Sequence, residues 1–480
     1  MRSIVACCLS ELPWHWRAFQ GNNSLRAASN GILRGDVLIK HPTTESKPLG
    51  LCTTAARQNG LTCAIHFSRY YPVSLTLCPS EGLHATNYDP IQMNQESLVK
   101  VIALYFPQLH AIPENDEWWG KGFTDWVNVK RAKPQFRGHF QPRIPLDDRY
   151  YDQSQIETLK WQIGLAKSHG LHGFCHYHYW FEGKQLLETP TNMMLESREL
   201  DFPFCLAWAN ETWSRRWDGR DHHVLQEQRH TPDKAMWEHH FKYLFRAWSD
   251  ARAIKIDGKP VFLIYRPHRI EKIGEMFDYW RELAQQRGLP GLFFVAMKQY
   301  EYPNPEVLKY FDASMHFQPF EALFSPDFPH PVFETSELLR PFRLLPDRIQ
   351  DILRAIRYKF FPALTFYDYD EVWKQILKLE RDGGLPTFPG AFVDWDNTAR
   401  YVNRARIFKG ASPDRFAYWF KQLVDATARR PNPERIIFIN AWNEWAEGTY
   451  LEPDALRGHK FLEALRNSLA SQPAKIPSAE

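Results

Sequence analysis

The sequence predicts an α/β chain folded as a (β/α)8 TIM-like barrel. Three observations carry this expectation. Eight short apolar runs, rich in aromatic and β-branched residues, recur after residue 98. Longer amphipathic stretches separate most of them. Nearly every run begins apolar and finishes polar or aromatic on its C-terminal side. Continuous apolar strands followed by helices require a parallel sheet covered on both faces. Eight such units fit a closed barrel, with a doubly wound open sheet as the alternative.

Taken in order, the runs are KVIALYFPQ (100–108), LHGFCHYHYW (171–180), PFCLAWANE (203–211), PVFLIYRP (260–267), GLFFVAMK (291–298), DASMHFQP (312–319), FPGAFVDWDN (388–397) and RIIFINAWNEW (435–445). The helical candidates between them are 153–169, 232–250, 269–287, 347–358, 367–382 and 413–429. The polar or aromatic run ends, Gln108, His178, Asn210, Arg266, Lys298, Gln318, Asp394 and Glu444, are expected to gather at one mouth. Segments 109–150 and 212–231 are read as loops over that mouth. The stretch 320–386 is too long for one helix and is expected to hold an inserted helical piece.

The domain boundary is placed at residue 98, giving an N-terminal extension over 1–97 and a glycan-processing barrel over 98–475. The extension is rich in Ser, Thr, Asn and Cys and has no sustained period, and 16 of the 18 tryptophans follow it. It is expected to be disordered or not a native part of the protein, with the true start near Met93. Across the chain, 44% hydrophobic residues support a sizeable core, and a net charge of +3 argues against a nucleic-acid partner. No apolar run reaches the roughly 18 residues of a membrane span. Beyond the extension only Cys175 and Cys205 remain, both in apolar runs without metal-site spacing. They read as buried free thiols, and a cytoplasmic, reducing setting is expected.

The strongest chemical signal follows the last run. In NAWNEWAEGTYLEPD, the carboxylates Glu444 and Glu447 stand three apart, beside Trp442, Asn443 and Trp445. In a straight strand they would face opposite sides; on a helical turn or curved loop they converge. Glycosidic cleavage needs a proton donor for the leaving oxygen and a second carboxylate at the reacting centre. Apolar rings raise the pKa of an adjacent carboxyl so that it holds a proton near neutrality. The stretch WANETWSRRW adds Trp208, Asn210, Glu211, Trp213 and Arg215, a mix of indole faces and hydrogen-bond forks suited to sugars. A buried Glu211–arginine ion pair is compatible with that role. His178, Tyr179 and Trp180 of CHYHYW are sugar-contact candidates, as are Tyr105, Gln108 and His110 at the end of the first run. His176 is read as a core histidine. Asp394 and Asp396 form a D-x-D, as do Asp368 and Asp370. Such a pair can hold a divalent cation on a nucleotide sugar, but no glycine-rich phosphate loop follows the first run. The pair Asp394 and Asp396 is therefore read as mouth residues that contact sugar hydroxyls or steady the glutamates.

The stretches PQLHAIPENDEWWGKGFTDW, AKPQFRGHFQP, GFCHYHYWFEGKQLLETP, DFPFCLAWANETWSRRWDG, GAFVDWDNTAR and FINAWNEWAEGTYLEPD give the chain from about 99 to 470 a resemblance to the WbsX-like family of bacterial surface-polysaccharide proteins, a family related to glycoside hydrolase family 99, the endo-α-mannosidases. A tyrosine is more usual at the position of His176. The resemblance implies a (β/α)8 barrel and, at W-N-E-W-x-E-G, a retaining neighbouring-group mechanism. Glu444 would act as base on the substrate's 2-hydroxyl to give a 1,2-anhydro sugar. Glu447 would protonate the leaving group and then activate water.

The functional expectation is a carbohydrate-active enzyme of bacterial surface polysaccharide (O-antigen-like) metabolism. It would cleave or transfer α-mannoside-like bonds on an oligosaccharide or polysaccharide, without cofactor or metal. Two alternatives are a nucleotide-sugar-dependent glycosyltransferase and a non-catalytic glycan-binding protein on a hydrolase scaffold.

Overall fold

The computed structural model describes residues 98–215, 220–299, 305–328, 364–379 and 384–471. Its centre is a ring of parallel strands: β1 (Lys100–Tyr105), β2 (Gly173–Phe181), β3 (Phe204–Trp208), β4 (Lys259–Ile264), β5 (Phe293–Lys298), β6 (Ala313–His316), β7 (Thr387–Phe388), β8 (Gly390–Phe392) and β9 (Ile436–Asn440). Neighbours pair in sequence from β1 to β7, and β9 pairs with both β1 and β8. β7 and β8 are two pieces of one stave, separated by Pro389, which has no N–H to give to a ladder. The first piece pairs with β6 and the second with β9, so this stave closes the ring. The eight predicted runs are thus the eight staves, and the open-sheet alternative is excluded.

Side chains alternate across each stave, because successive Cβ atoms point to opposite faces. Ile102, Leu104, Cys175, Tyr177, Cys205, Ala207, Leu263 and Val295 belong to the cluster inside the barrel. Val101, Ala103, Phe174, Leu206, Phe262 and Phe294 face outward and pack with helix residues such as Phe241, Phe277, Trp280 and Phe416. Cys175 and Cys205 are buried, free and in register on adjacent strands.

The outer helices begin where the sequence signals them. Helix α1 (Lys234–Trp248) is capped by Asp233, whose carboxylate accepts from the N–H of Met236. Helix α2 (Ile273–Gln286) follows β4. Helix α3 (Tyr369–Lys378) is capped by Asp368, which accepts from the N–H groups of Asp370 and Glu371. Helix α4 (Pro413–Ala428) opens with Ser412 as cap and Pro413 in its first turn. A final helix, Lys460–Ala470, packs on α4 and had no sequence expectation attached to it.

Within 320–386, the described part holds a short helix, Phe320–Leu323, the strand Thr365–Asp368 and α3. That strand pairs with Arg406–Lys409 outside the barrel. The predicted helix over 347–358 and the expected disorder of 1–97 lie outside the described residues. No helix among the described residues is long and apolar enough to cross a membrane.

Candidate active site

A cavity of about 700 Å3 opens at the C-terminal ends of the barrel strands. Inward-facing residues floor it: Tyr177 and Tyr179 within β2, and Phe106, Tyr265 and Phe317 just beyond their strands. The two expected mouth loops do cover it. The first contributes Asn115 and Trp119; the second, a hairpin of Trp213–Arg215 against Arg220–Gln226, contributes Trp213 and Leu225. The volume lies within the ~300–1,000 Å3 typical of small-molecule sites.

Glu444 and Glu447 both line this cavity. After β9 the chain makes a tight hairpin, with Asn443–Glu444 pairing antiparallel to Thr449–Tyr450. Trp445–Glu447 between them is one 3-10 turn, and Glu444 is its cap residue. Side chains three apart eclipse in such a turn, which brings the two carboxylates to one side. Gly448 ends the turn with φ of 67° in the left-handed region, where glycine carries no Cβ penalty.

One guanidinium joins the pair. Arg400 donates to Glu447 at 2.6 Å, to Glu444 at 3.2 Å and to buried Asp125 at 2.7 Å. Glu444 is 9% exposed and Glu447 22% exposed, on the cavity side. Burial raises the pKa of Glu444 well above the ordinary carboxylate value, and its neighbour Glu447 adds to this; the Arg400 charge opposes both. Burial likewise raises Glu447 against the pull of Arg400. Charge counting gives the same direction: one cation faces three carboxylates, so a proton held within the cluster relieves the surplus. The proton belongs to the coupled pair rather than to one residue.

The rest of the hairpin is scaffold. The Asn443 side chain accepts from the Phe106 N–H at 2.8 Å and donates to the Phe106 carbonyl at 2.9 Å, imitating a strand partner for β1. Glu452, the third glutamate of the stretch, is buried and accepts from Tyr151, Trp445 and Gln162 at 2.7, 2.6 and 2.7 Å. Burial lifts its pKa to about 7 despite those three donors. Trp445 stacks on Tyr450 with centroids 3.9 Å apart, behind the cavity. Trp442 packs in the outer core against Phe174.

Of the residues expected from sequence, Gln108, Tyr179, Glu211, Trp213, Glu444 and Glu447 line the cavity. Glu211 does so while accepting from Arg266 at 2.5 Å, so the ion pair and the cavity position coexist. The structure places several others off the cavity. Tyr105, His178, Trp180 and Trp208 stand on the outward face of their strands and pack into the core beneath the helices. His178 Nε2 meets His240 Nε2 at 2.9 Å, and burial holds the pKa of His178 down at about 3. Tyr105 donates to Gln162 at 2.7 Å. His110 is buried in the loop after β1, off the cavity lining. Asn210 clamps the backbone of Arg266, accepting from its N–H at 2.8 Å and donating to its carbonyl at 3.0 Å. Arg215 donates to the Trp118 carbonyl and lies over Trp119, supporting the rim rather than lining the cavity.

Asp394 and Asp396 face away as well. Arg143 donates to Asp394 at 3.1 Å, while Asp396 is contacted by His139 at 2.8 Å and Gln141 at 2.7 Å. Burial alone would raise the Asp396 pKa, but the hydrogen bond from His139, the Arg143 charge and the hydrogen bond from Thr398 bring it down to about 2. The residue between them, Trp395, is the one that lines the cavity. The residues missed from sequence are Arg400, Asp125, Tyr177, Trp119 and Trp395. Arg400 and Asp125 both sit inside stretches that carried the family resemblance, and a pair of buried carboxylates was itself the signal that a cation must lie nearby.

A model of the family described as glycosyltransferase WbsX matches residues 101–465. The chain belongs to the WbsX glycosyltransferase family. It is 37% and 36% identical to the WxcX proteins of two strains of Xanthomonas campestris pv. campestris, over 78% and 80% of this chain. It spans about half the length of those relatives, 50% and 52%. Among solved structures it is similar to a glycoside hydrolase-like protein, with a TM-score of 0.47 and 13% identity over 78% of this chain and 94% of that one. It is also similar to the family 99 endo-α-mannosidase of Bacteroides thetaiotaomicron, with a TM-score of 0.45 and 13% identity over 77% of this chain and 96% of that one. Membership of the WbsX family supports a carbohydrate-active enzyme.

Proposed function

We propose that this WbsX-family protein breaks and transfers an α-mannoside-like glycosidic bond in bacterial surface polysaccharide metabolism, acting in the cytoplasm. The observation that carries the reading is the pair Glu444 and Glu447, bonded to one guanidinium on the wall of an aromatic cavity.

Glu444 takes the proton of the substrate's 2-hydroxyl, and that oxygen attacks the anomeric carbon. The bond to the leaving oxygen breaks as Glu447 gives it a proton, leaving a 1,2-anhydro sugar. Glu447 then takes a proton from the incoming nucleophile as it bonds to the anomeric carbon; the bond from that carbon to the 2-oxygen breaks, and Glu444 returns its proton to the 2-oxygen. In the free site the shorter Arg400 contact, 2.6 Å against 3.2 Å, favours an ionised Glu447. A 2-hydroxyl donating to Glu444 stabilises its carboxylate form and moves the shared proton to Glu447, where it is needed. The family's description as glycosyltransferases favours an acceptor hydroxyl over water as the second nucleophile. Transfer that depends on a cation held by Asp394 and Asp396 has less support, because both are engaged by Arg143, His139 and Gln141 away from the cavity.

The test is incubation with α-linked manno-oligosaccharides and surface polysaccharide, followed by mass analysis of products. Shortened or lengthened chains are expected from the native protein, and none above background from Glu447→Gln or Glu444→Gln. Turnover that survives in Glu447→Gln would sink the assignment. Glycan binding without product from the native protein would identify a binding protein instead.

A further inference from the structure

The charged groups on the cavity wall are not evenly matched. Glu211 is paired with Arg266. Glu444 and Glu447 share Arg400 with Asp125. Two further guanidinium groups, Arg404 and Arg406, line the same cavity and are half-buried. Neither side chain has a carboxylate or hydrogen-bond acceptor among the described residues. The chain holds them firmly: the turn Val402–Arg404 follows the short helix Thr398–Tyr401, and Val402 takes a φ of 50°. Arg406 starts the strand Arg406–Lys409, in register with Thr365, which also lines the cavity. Its backbone N–H donates to Asn397 at 2.8 Å and its carbonyl accepts from the Asn397 N–H, so the side chain is fixed at its root.

We propose that Arg404 and Arg406 form an anion subsite, so that the preferred ligand carries a negatively charged group, a carboxylate or a phosphate, beside the sugar handled by Glu444 and Glu447. The inference rests on reading this cavity as a glycan site. Cations on a cavity wall, partly withdrawn from water and lacking an internal counter-charge, gain most from a ligand that supplies one. Arginine's planar fork matches carboxylate and phosphate oxygens better than it matches neutral hydroxyls. An acidic sugar in the polymer and a diphosphate on a donor or carrier share this chemistry.

Direct binding distinguishes them. Calorimetric titration would use three probes: a glucuronosyl-mannose disaccharide, the glucosyl-mannose disaccharide that carries a neutral hydroxymethyl group in place of the carboxylate, and inorganic pyrophosphate. An acidic-sugar source predicts roughly tenfold tighter binding of the glucuronosyl probe. The preference should be lost in the Arg404→Gln/Arg406→Gln double variant and should shrink in native protein as salt rises to 0.5 M. A diphosphate source predicts that the two disaccharides bind alike while pyrophosphate binds native protein and not the double variant. Equal disaccharide binding with no pyrophosphate binding would overturn the proposal. So would an anion preference that persists in the double variant or is indifferent to salt. Binding is read without turnover, so failure of the cleavage test leaves this result standing or falling by itself.

Discussion

Among the described residues, Arg400 is the cation in contact with three buried or half-buried carboxylates, Asp125, Glu444 and Glu447. Removing it leaves those charges without a contacting cation among the described residues, although Asp125 still accepts from Asn128, and breaking a buried pair in that way costs about 3–5 kcal/mol. Arg400→Gln is therefore expected to abolish turnover and to lower stability to unfolding by urea. The loss should depend on pH in a defined direction. Burial raises Glu444 and Glu447 above their unfolded values, and losing Arg400 raises them further. A carboxyl with a raised folded-state pKa contributes least penalty below its unfolded value near 4.5 and an increasing one as pH climbs through the folded value. Urea midpoints should thus lie closer to native at pH 5 than at pH 8. Equal midpoints at both pH values would show that the cluster is not what Arg400 neutralises.

At the scale of the element, the hairpin after β9 does the positioning. Asn443 fastens its start to Phe106, Glu452 fastens its end through Tyr151, Trp445 and Gln162, and Gly448 lets it turn. A Cβ at Gly448 would lie 2.9 Å from the backbone N and O of Asp396, in addition to meeting a left-handed φ. The Asp396 N–H donates to the Glu447 carbonyl at 2.8 Å, so a shift there moves the acid itself. Gly448→Ala is expected to cost about 1–3 kcal/mol in thermal or urea unfolding. Its kcat should fall more than its KM rises, because misplacing a catalytic group by about 1 Å can cost 10²-fold. Full activity in that variant would mean that the turn does not set the carboxylate geometry.

For the whole molecule, the critical join is the stave that closes the ring. The Ser314 N–H donates to the Pro386 carbonyl at 2.9 Å and the Phe438 N–H to the Pro389 carbonyl at 3.1 Å, linking this stave to both sides. A Cβ on Gly390 would come within 1.8 Å of the His316 carbonyl oxygen, a backbone atom that cannot move aside. Gly390→Ala is expected to destabilise by more than about 4 kcal/mol, or to yield insoluble protein, since it forces the seam apart. Differential scanning calorimetry reads this directly, and a melting temperature within a degree or two of native would contradict the packing at the seam.

The sequence by itself determined the barrel, the order of its staves, the two loops over the mouth and the stretch that carries Glu444 and Glu447. Those features are local: apolar runs of strand length, amphipathic stretches between them, and carboxylates placed just after a strand. Which face each strand residue takes was decided by the closed ring. Alternation fixes that neighbours point oppositely, but only barrel closure says which parity is inside. For that reason Tyr177 and Tyr179 meet the cavity while His178 and Trp180 meet the helices; past the end of β8, Trp395 lines the cavity while Asp394 and Asp396 are held by Arg143 and His139. The partnership of Arg400 with Asp125, Glu444 and Glu447 also came only from tertiary structure. Three segments after different staves bring them together, one with Asp125, one with Arg400 and one with both glutamates, and no spacing along the chain encodes a meeting across 275 positions.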